Sequence, residues 1–110
     1  MLRTYVEPTG LHSRAMVRVA KALEKYVPAG VRVVSRVGEA DLVVAHVIAS
    51  DALVSGRQFR QKGQRYATIQ YCLTTSSLPN VEDWLEYWAN AEVVWSYYDL
   101  GVASALCGFR

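Results

Sequence analysis

The chain has 110 residues, of which 52% are hydrophobic and 20% charged, with a formal net charge of +2 at pH 7. That is the length of one domain, at roughly 100–200 residues per domain, and surface scaling lets about two thirds of the unfolded surface be buried, so a core forms without staples. The composition excludes a disordered chain, no window approaches the ~18 apolar residues of a membrane span, and so small a charge excludes strong bulk attraction to nucleic acid or anionic lipid, leaving only local patches.

The N-terminus, Met1 to Val6, has no apolar stretch of signal-peptide length, which points to the cytoplasm. Leu2 to Val6 reads as a first strand, halted by Pro8-Thr9-Gly10. Ser13 is a good N-cap for a helix on which Met16, Val19, Ala20, Leu23 and Val27 recur at helical spacing until Pro28-Ala29-Gly30. Its other face carries Arg14, Arg18, Lys21 and Lys25, a basic outer stripe of the kind solvated helices often have. Val31 to Val34 is a second strand, and Gly38-Glu39-Ala40 a turn. Asp41 to Ile48 is a near-continuous apolar run, as in a strand covered on both faces, and marks the centre of the sheet.

Ala49 to Lys62 forms a weaker helix closed by Gly63, and Tyr66 to Leu73 a fourth strand followed by the polar loop 74–80. Asn80 caps a helix expected to pack Val81, Trp84, Leu85 and Trp88, with Glu82, Asp83 and Glu86 near its positive end. Glu92 to Tyr98 is a fifth strand, and a short helix from Asp99 to Leu106 ends at Gly108. Strands alternating with helices imply right-handed crossovers. The expected fold is a single α/β domain over 1–110, a three-layer α/β/α Rossmann-like architecture with a mainly parallel sheet of about five strands.

In such sheets ligands bind beyond the carboxyl ends of the strands. That rule selects the loop Pro8 to Arg14, Ser35 and Arg36, His46, the loop Tyr71 to Ser77, and Tyr97-Tyr98-Asp99. Gly10 lets backbone approach a ligand, and the N–H groups of the helix that starts near Ser13 favour an anion or a sugar hydroxyl, although a plain strand-to-helix turn would use the same residues. Neither G-x-G-x-x-G nor G-x-x-x-x-G-K-[ST] occurs, which argues against a self-contained dinucleotide or P-loop site. His46 ends the most apolar strand, where a neutral imidazole can donate to a substrate or act as a base, although a lone histidine beside Val47 and Ile48 is more often a satisfied structural residue. His12 in the glycine loop reads as exposed. With two histidines, and with Cys72 and Cys107 lacking ligand spacing and read as reduced, no metal site is expected. Arg57, Arg60, Lys62 and Arg65 form a basic cluster suited to phosphates or to a solvated helix. Trp84, Tyr87, Trp88, Trp95, Tyr97 and Tyr98 read mainly as core, and no serine has a nucleophile-elbow context.

Several of these segments resemble the acceptor-side domain of GT-B glycosyltransferases, of a family-four-like type. They are Gly10 and Ser13 opening the Met16 to Leu23 helix, Glu39-Ala40-Asp41-Leu42-Val43-Val44-Ala45-His46, and Trp84 to Ala91 followed by Glu92 to Tyr98. The family pattern has a second glycine near Gly10, an Asp where Glu92 stands, and small polar residues where Tyr97-Tyr98-Asp99 follow Ser96. The resemblance implies the N-terminal half of a retaining, metal-independent enzyme, which binds a sugar acceptor while a C-terminal domain binds a nucleotide-sugar donor. This domain would bind no cofactor and catalyse no transfer alone. Gly10, Leu11, His12, Ser13, Arg14, His46, Tyr98 and Asp99 would line the acceptor side of the cleft. The alternative reading is a stand-alone binding module that recruits a phosphate-rich partner such as nucleic acid through the basic helix faces.

Overall fold

The computed structural model describes residues 1–8, 11, 13–47, 51–71 and 81–96. In chain order the elements are β1 (Leu2–Glu7), α1 (Arg14–Lys25), β2 (Val31–Val33), a 3-10 turn (Val37–Glu39), β3 (Leu42–Val47), α2 (Asp51–Gln61), β4 (Tyr66–Gln70), α3 (Val81–Ala89) and β5 (Val94–Ser96). The expected cap is present: Ser13 Oγ accepts from the Met16 N–H at 3.2 Å. The expected stops hold as well, since Gly30 (φ 87) and Gly63 (φ 68) turn through the left-handed region that glycine enters without a Cβ penalty. The capping role given to Asn80, the helix over 99–106 and positions 72–73 and 97–98 of the expected strands lie outside the described residues; the fourth strand stops at Gln70, and the fifth begins at Val94, not at Glu92.

All five strands are parallel, in the order β2-β1-β3-β4-β5. β3 is the central strand, as its apolar run implies, and the fold is a Rossmann-like α/β/α domain. Right-handed crossovers then put α1 on one face of the sheet and α2 with α3 on the other, because the chain moves outward from β1 to β2 but in the opposite direction from β3 to β5. The order reverses between β1 and β3, so the crevice beyond their carboxyl ends is the topological switch point.

The main core lies under α2 and α3. Val43, Ala45 and Val47 of β3 pack with Ala52, Leu53 and Phe59 of α2, Tyr66 of β4, and Trp84 and Tyr87 of α3. Two expectations for the helices are corrected here. On α1 only Met16 and Ala20 are buried, while Leu23 and Val27 are exposed near the end of the helix. On α3, Leu85 is exposed and Tyr87 is buried in its place. The Tyr87 hydroxyl shares a 2.5 Å hydrogen bond with Thr68 Oγ1, so a polar ring is accommodated where an aliphatic side chain was expected. Among the aromatic residues, Trp84 and Tyr87 are core, Trp88 is half-buried, and Trp95 is exposed.

Candidate functional site

Side-chain alternation decides what reaches the carboxyl edge of the sheet. In β3, Val43, Ala45 and Val47 turn toward α2, so Leu42, Val44 and His46 turn toward the α1 side. His46 pairs in register with Ile69 of β4, and the Tyr71 N–H extends that ladder by donating to the Val47 carbonyl at 2.8 Å. Tyr71, two residues past Ile69, therefore emerges on the same side as His46. Its hydroxyl shares a 2.7 Å hydrogen bond with His46 Nδ1, and the ring centroids are 5.8 Å apart.

His46 is 1% exposed. Burial lowers its pKa from the ordinary histidine value, so the ring is neutral at pH 7. Three buried side-chain nitrogens among the described residues have no hydrogen-bond partner: His46 Nε2, Trp84 Nε1 and an Arg60 guanidinium nitrogen. Trp84 and Arg60 belong to α3 and α2; His46 alone stands at the strand edge. Its neutral ring carries one proton. If the Tyr71 hydroxyl donates to Nδ1, Nε2 is a donor; if Nδ1 donates to Tyr71, Nε2 is an acceptor.

On the α2 face of the switch point, opposite the His46 ring, Glu7 of β1, Ala45 and Val47 of β3, and Asp51 and Ser55 of α2 border a space of about 10 Å³, room for one water. Glu7 also borders a more open depression of about 240 Å³ that runs along α2 to Phe59 and Lys62. The turn before α1 is closed by Leu11 N–H donating to the Pro8 carbonyl at 3.1 Å. Leu11, Ser13 and Arg14 border a separate open depression of about 420 Å³ along α1, with Val17, Arg18 and Lys21.

The residues selected from sequence thus divide among places. Leu11, Ser13 and Arg14 follow the α1 depression, and His46 stands with Tyr71 at the carboxyl end of β3 on the α1 side of the sheet. Ser35 and Arg36 are exposed beyond β2. Gly10, His12, Tyr98 and Asp99 lie outside the described residues. Glu7, Asp51 and Ser55 were not selected from sequence, although they stand at the end of β1 and in the first two turns of α2, where the carboxyl-end rule points once the elements are known. Among the described residues, no three His, Cys, Asp or Glu side chains are grouped so as to hold a metal ion, and no helix is long and apolar enough to cross a membrane.

The Arg57 to Arg65 cluster is largely occupied within the fold. Arg57 pairs with Asp83 at 2.9 Å, Arg60 with Glu86 at 2.6 Å and Arg65 with Glu92 at 2.9 Å. These three cations tie α2 and the start of β4 to α3 and the segment before β5, and only Lys62 of the cluster has no ion pair among the described residues. In comparisons with known proteins, the chain matches no family model, no curated protein and no solved structure.

Proposed function

We propose that this chain is the acceptor-binding domain of a metal-independent GT-B glycosyltransferase, working with a second domain that holds the nucleotide-sugar donor. The observation that carries the reading is the buried His46–Tyr71 pair at the carboxyl edge of the sheet, with a neutral imidazole whose Nε2 has no partner. A sugar hydroxyl both donates and accepts, so it can satisfy Nε2 in either tautomer. His46 is assigned to acceptor contact, with Tyr71 as its positioning residue.

Saturation-transfer NMR tests this with the chain and the methyl glycosides of glucose, galactose, mannose and N-acetylglucosamine. At least one glycoside is expected to bind at millimolar concentration and to lose its signal in His46→Gln and Tyr71→Phe. No signal from any glycoside, or a signal untouched by both substitutions, would sink the reading.

A further inference from the structure

We infer that the outer face of α1 is a docking surface for the phosphate backbone of a nucleic acid, a property separate from acceptor binding in the crevice. Arg14, Arg18, Lys21 and Lys25 follow one another at intervals of four, three and four residues. At 100° per residue they fall within an arc of about 60°, and at 1.5 Å per residue the row is about 16 Å long, one cation per turn. The arc lies opposite the buried Met16 and Ala20, so the row faces solvent.

What marks this row is alignment together with the lack of ion pairs. Arg3, Arg57, Arg60 and Arg65 each have a carboxylate partner, and Arg32, Arg36 and Lys62, also without an ion pair among the described residues, stand on separate elements and form no row. None of the four α1 cations has an ion pair among the described residues; Lys25 has only the Tyr26 ring, 5.3 Å from its Nζ. The first turn of α1 has no acidic residue, and Glu24, the single acid on the helix, lies to one side of the row. The open depression of about 420 Å³ runs beside the row and gives a strand room to lie against it.

A row of point charges matches a line of phosphates better than a lipid surface does. Membrane-binding helices combine cations with large apolar side chains that enter the acyl boundary. The residues flanking this arc are Ala15 and Ala22 on one side and Val17 and Glu24 on the other, and the exposed large apolar side chains, Leu23, Tyr26 and Val27, gather at the C-terminal end of the helix instead of running along the row.

Fluorescence anisotropy with a labelled 20-base-pair duplex, repeated with a 20-nucleotide single strand, tests the inference. Four phosphate contacts give a slope of log affinity against log salt near −3.6 on duplex, about a hundredfold loss between 50 and 200 mM salt. Replacing Arg18, Lys21 and Lys25 together by Gln, all at exposed positions, is expected to flatten that slope by about 2.7 and to weaken binding more than tenfold at 50 mM salt. Arg57→Gln, on the opposite face, and His46→Gln should each change binding less than twofold. The last of these separates failure here from failure of the acceptor reading. The inference is overturned if neither nucleic acid binds at 50 mM salt, if the triple variant binds like the parent, or if only vesicles of phosphatidylglycerol and phosphatidylcholine are bound.

Discussion

His46 fixes how the carboxyl edge responds to pH. Its folded pKa is lowered by burial, whereas in the unfolded chain it takes the ordinary value near 6.5. Above that value the ring is neutral in both states and the folded protein is undisturbed. As pH falls below about 6.5 the unfolded chain takes up the proton first, so stability declines with falling pH until the folded ring titrates too. The steepest decline one group can give is about 1.4 kcal/mol per pH unit. Urea unfolding at pH 7.5, 6.5 and 5.5 should show this loss in the parent chain and a flatter profile in His46→Gln; identical profiles would remove the burial argument. Asp41 gives a second marker of the same sign from a different cause. Its carboxylate accepts from the Arg3 Nε, a terminal guanidinium nitrogen and the Arg3 backbone N–H at 3.1, 2.9 and 2.9 Å, which holds its pKa down to about 2. An NMR titration should find Asp41 ionised well below its ordinary 3.8, with the stabilisation of this pair present above 3.8 and lost as pH falls toward 2. At this scale the sequence was partly legible. The position of His46 at the end of an apolar run marked it as a candidate, but its partner Tyr71 is 25 residues away. Only the β3–β4 register brings the two together.

The pairing of α2 with α3 depends on one small residue. A Cβ on Gly56 would lie 2.6 Å from a ring carbon of Tyr87, too close for any real contact. The ring has little freedom to yield. It stacks on Tyr66 at 5.1 Å between centroids, meets Trp84 edge-on at 5.8 Å, and its hydroxyl is tied to Thr68. Gly56→Ala therefore trades a helix-propensity gain of about 1 kcal/mol for overpacking that costs about 1–3 kcal/mol and occasionally more. Because the contact is well under 3.0 Å and the ring is held on several sides, the upper part of that cost applies, and the expected net result is a destabilisation of about 1–2 kcal/mol, read as a melting temperature lower by several degrees. A variant at least as stable as the parent would mean that the two helices separate without cost. The surface pairs Arg57–Asp83 and Arg60–Glu86 that bridge the same helices are half exposed on at least one partner, and each contributes no more than about 1 kcal/mol. Here the reading from sequence went astray for a physical reason. The spacing of Val81, Trp84, Leu85 and Trp88 describes a good apolar stripe, yet the buried ring is Tyr87. What admits that ring is a glycine on one element and hydroxyl and aromatic partners on another, and no window along α3 contains them.

Among the described residues the sheet is covered unequally on its two faces. Helix and strand alternation made the α/β/α class legible, and the apolar run of β3 made its centre legible. The order β2-β1-β3-β4-β5 was not, because local pattern does not say on which side of β1 a strand is laid. That order puts two helices and the nine-residue buried cluster over β3 and β4, and leaves α1 to cover the other side of β1 and β2 with Met16 and Ala20 as its buried contacts. Free energies of local opening follow the apolar area that an element buries, so α1 belongs to the low end and the β3–α2–β4 unit to the high end. β2 adds to this asymmetry, being a three-residue edge strand bonded on one side only. Native-state hydrogen exchange read by mass spectrometry should find the amides of α1 and β2 exchanging well before those of Val43 to Val47 and Tyr66 to Gln70. Met16→Ala, which removes most of the buried contact of α1, should widen that gap by about 2–5 kcal/mol in opening free energy for α1 alone, with α2 unchanged. Equal protection of α1 and α2, or a uniform loss across the sheet in Met16→Ala, would mean that the two layers open as one cooperative unit. If the layers do open separately, the basic row of α1 rides on the least stable layer while the His46–Tyr71 pair is held by the most stable strands. A ligand bound to the row would then slow exchange in α1 first.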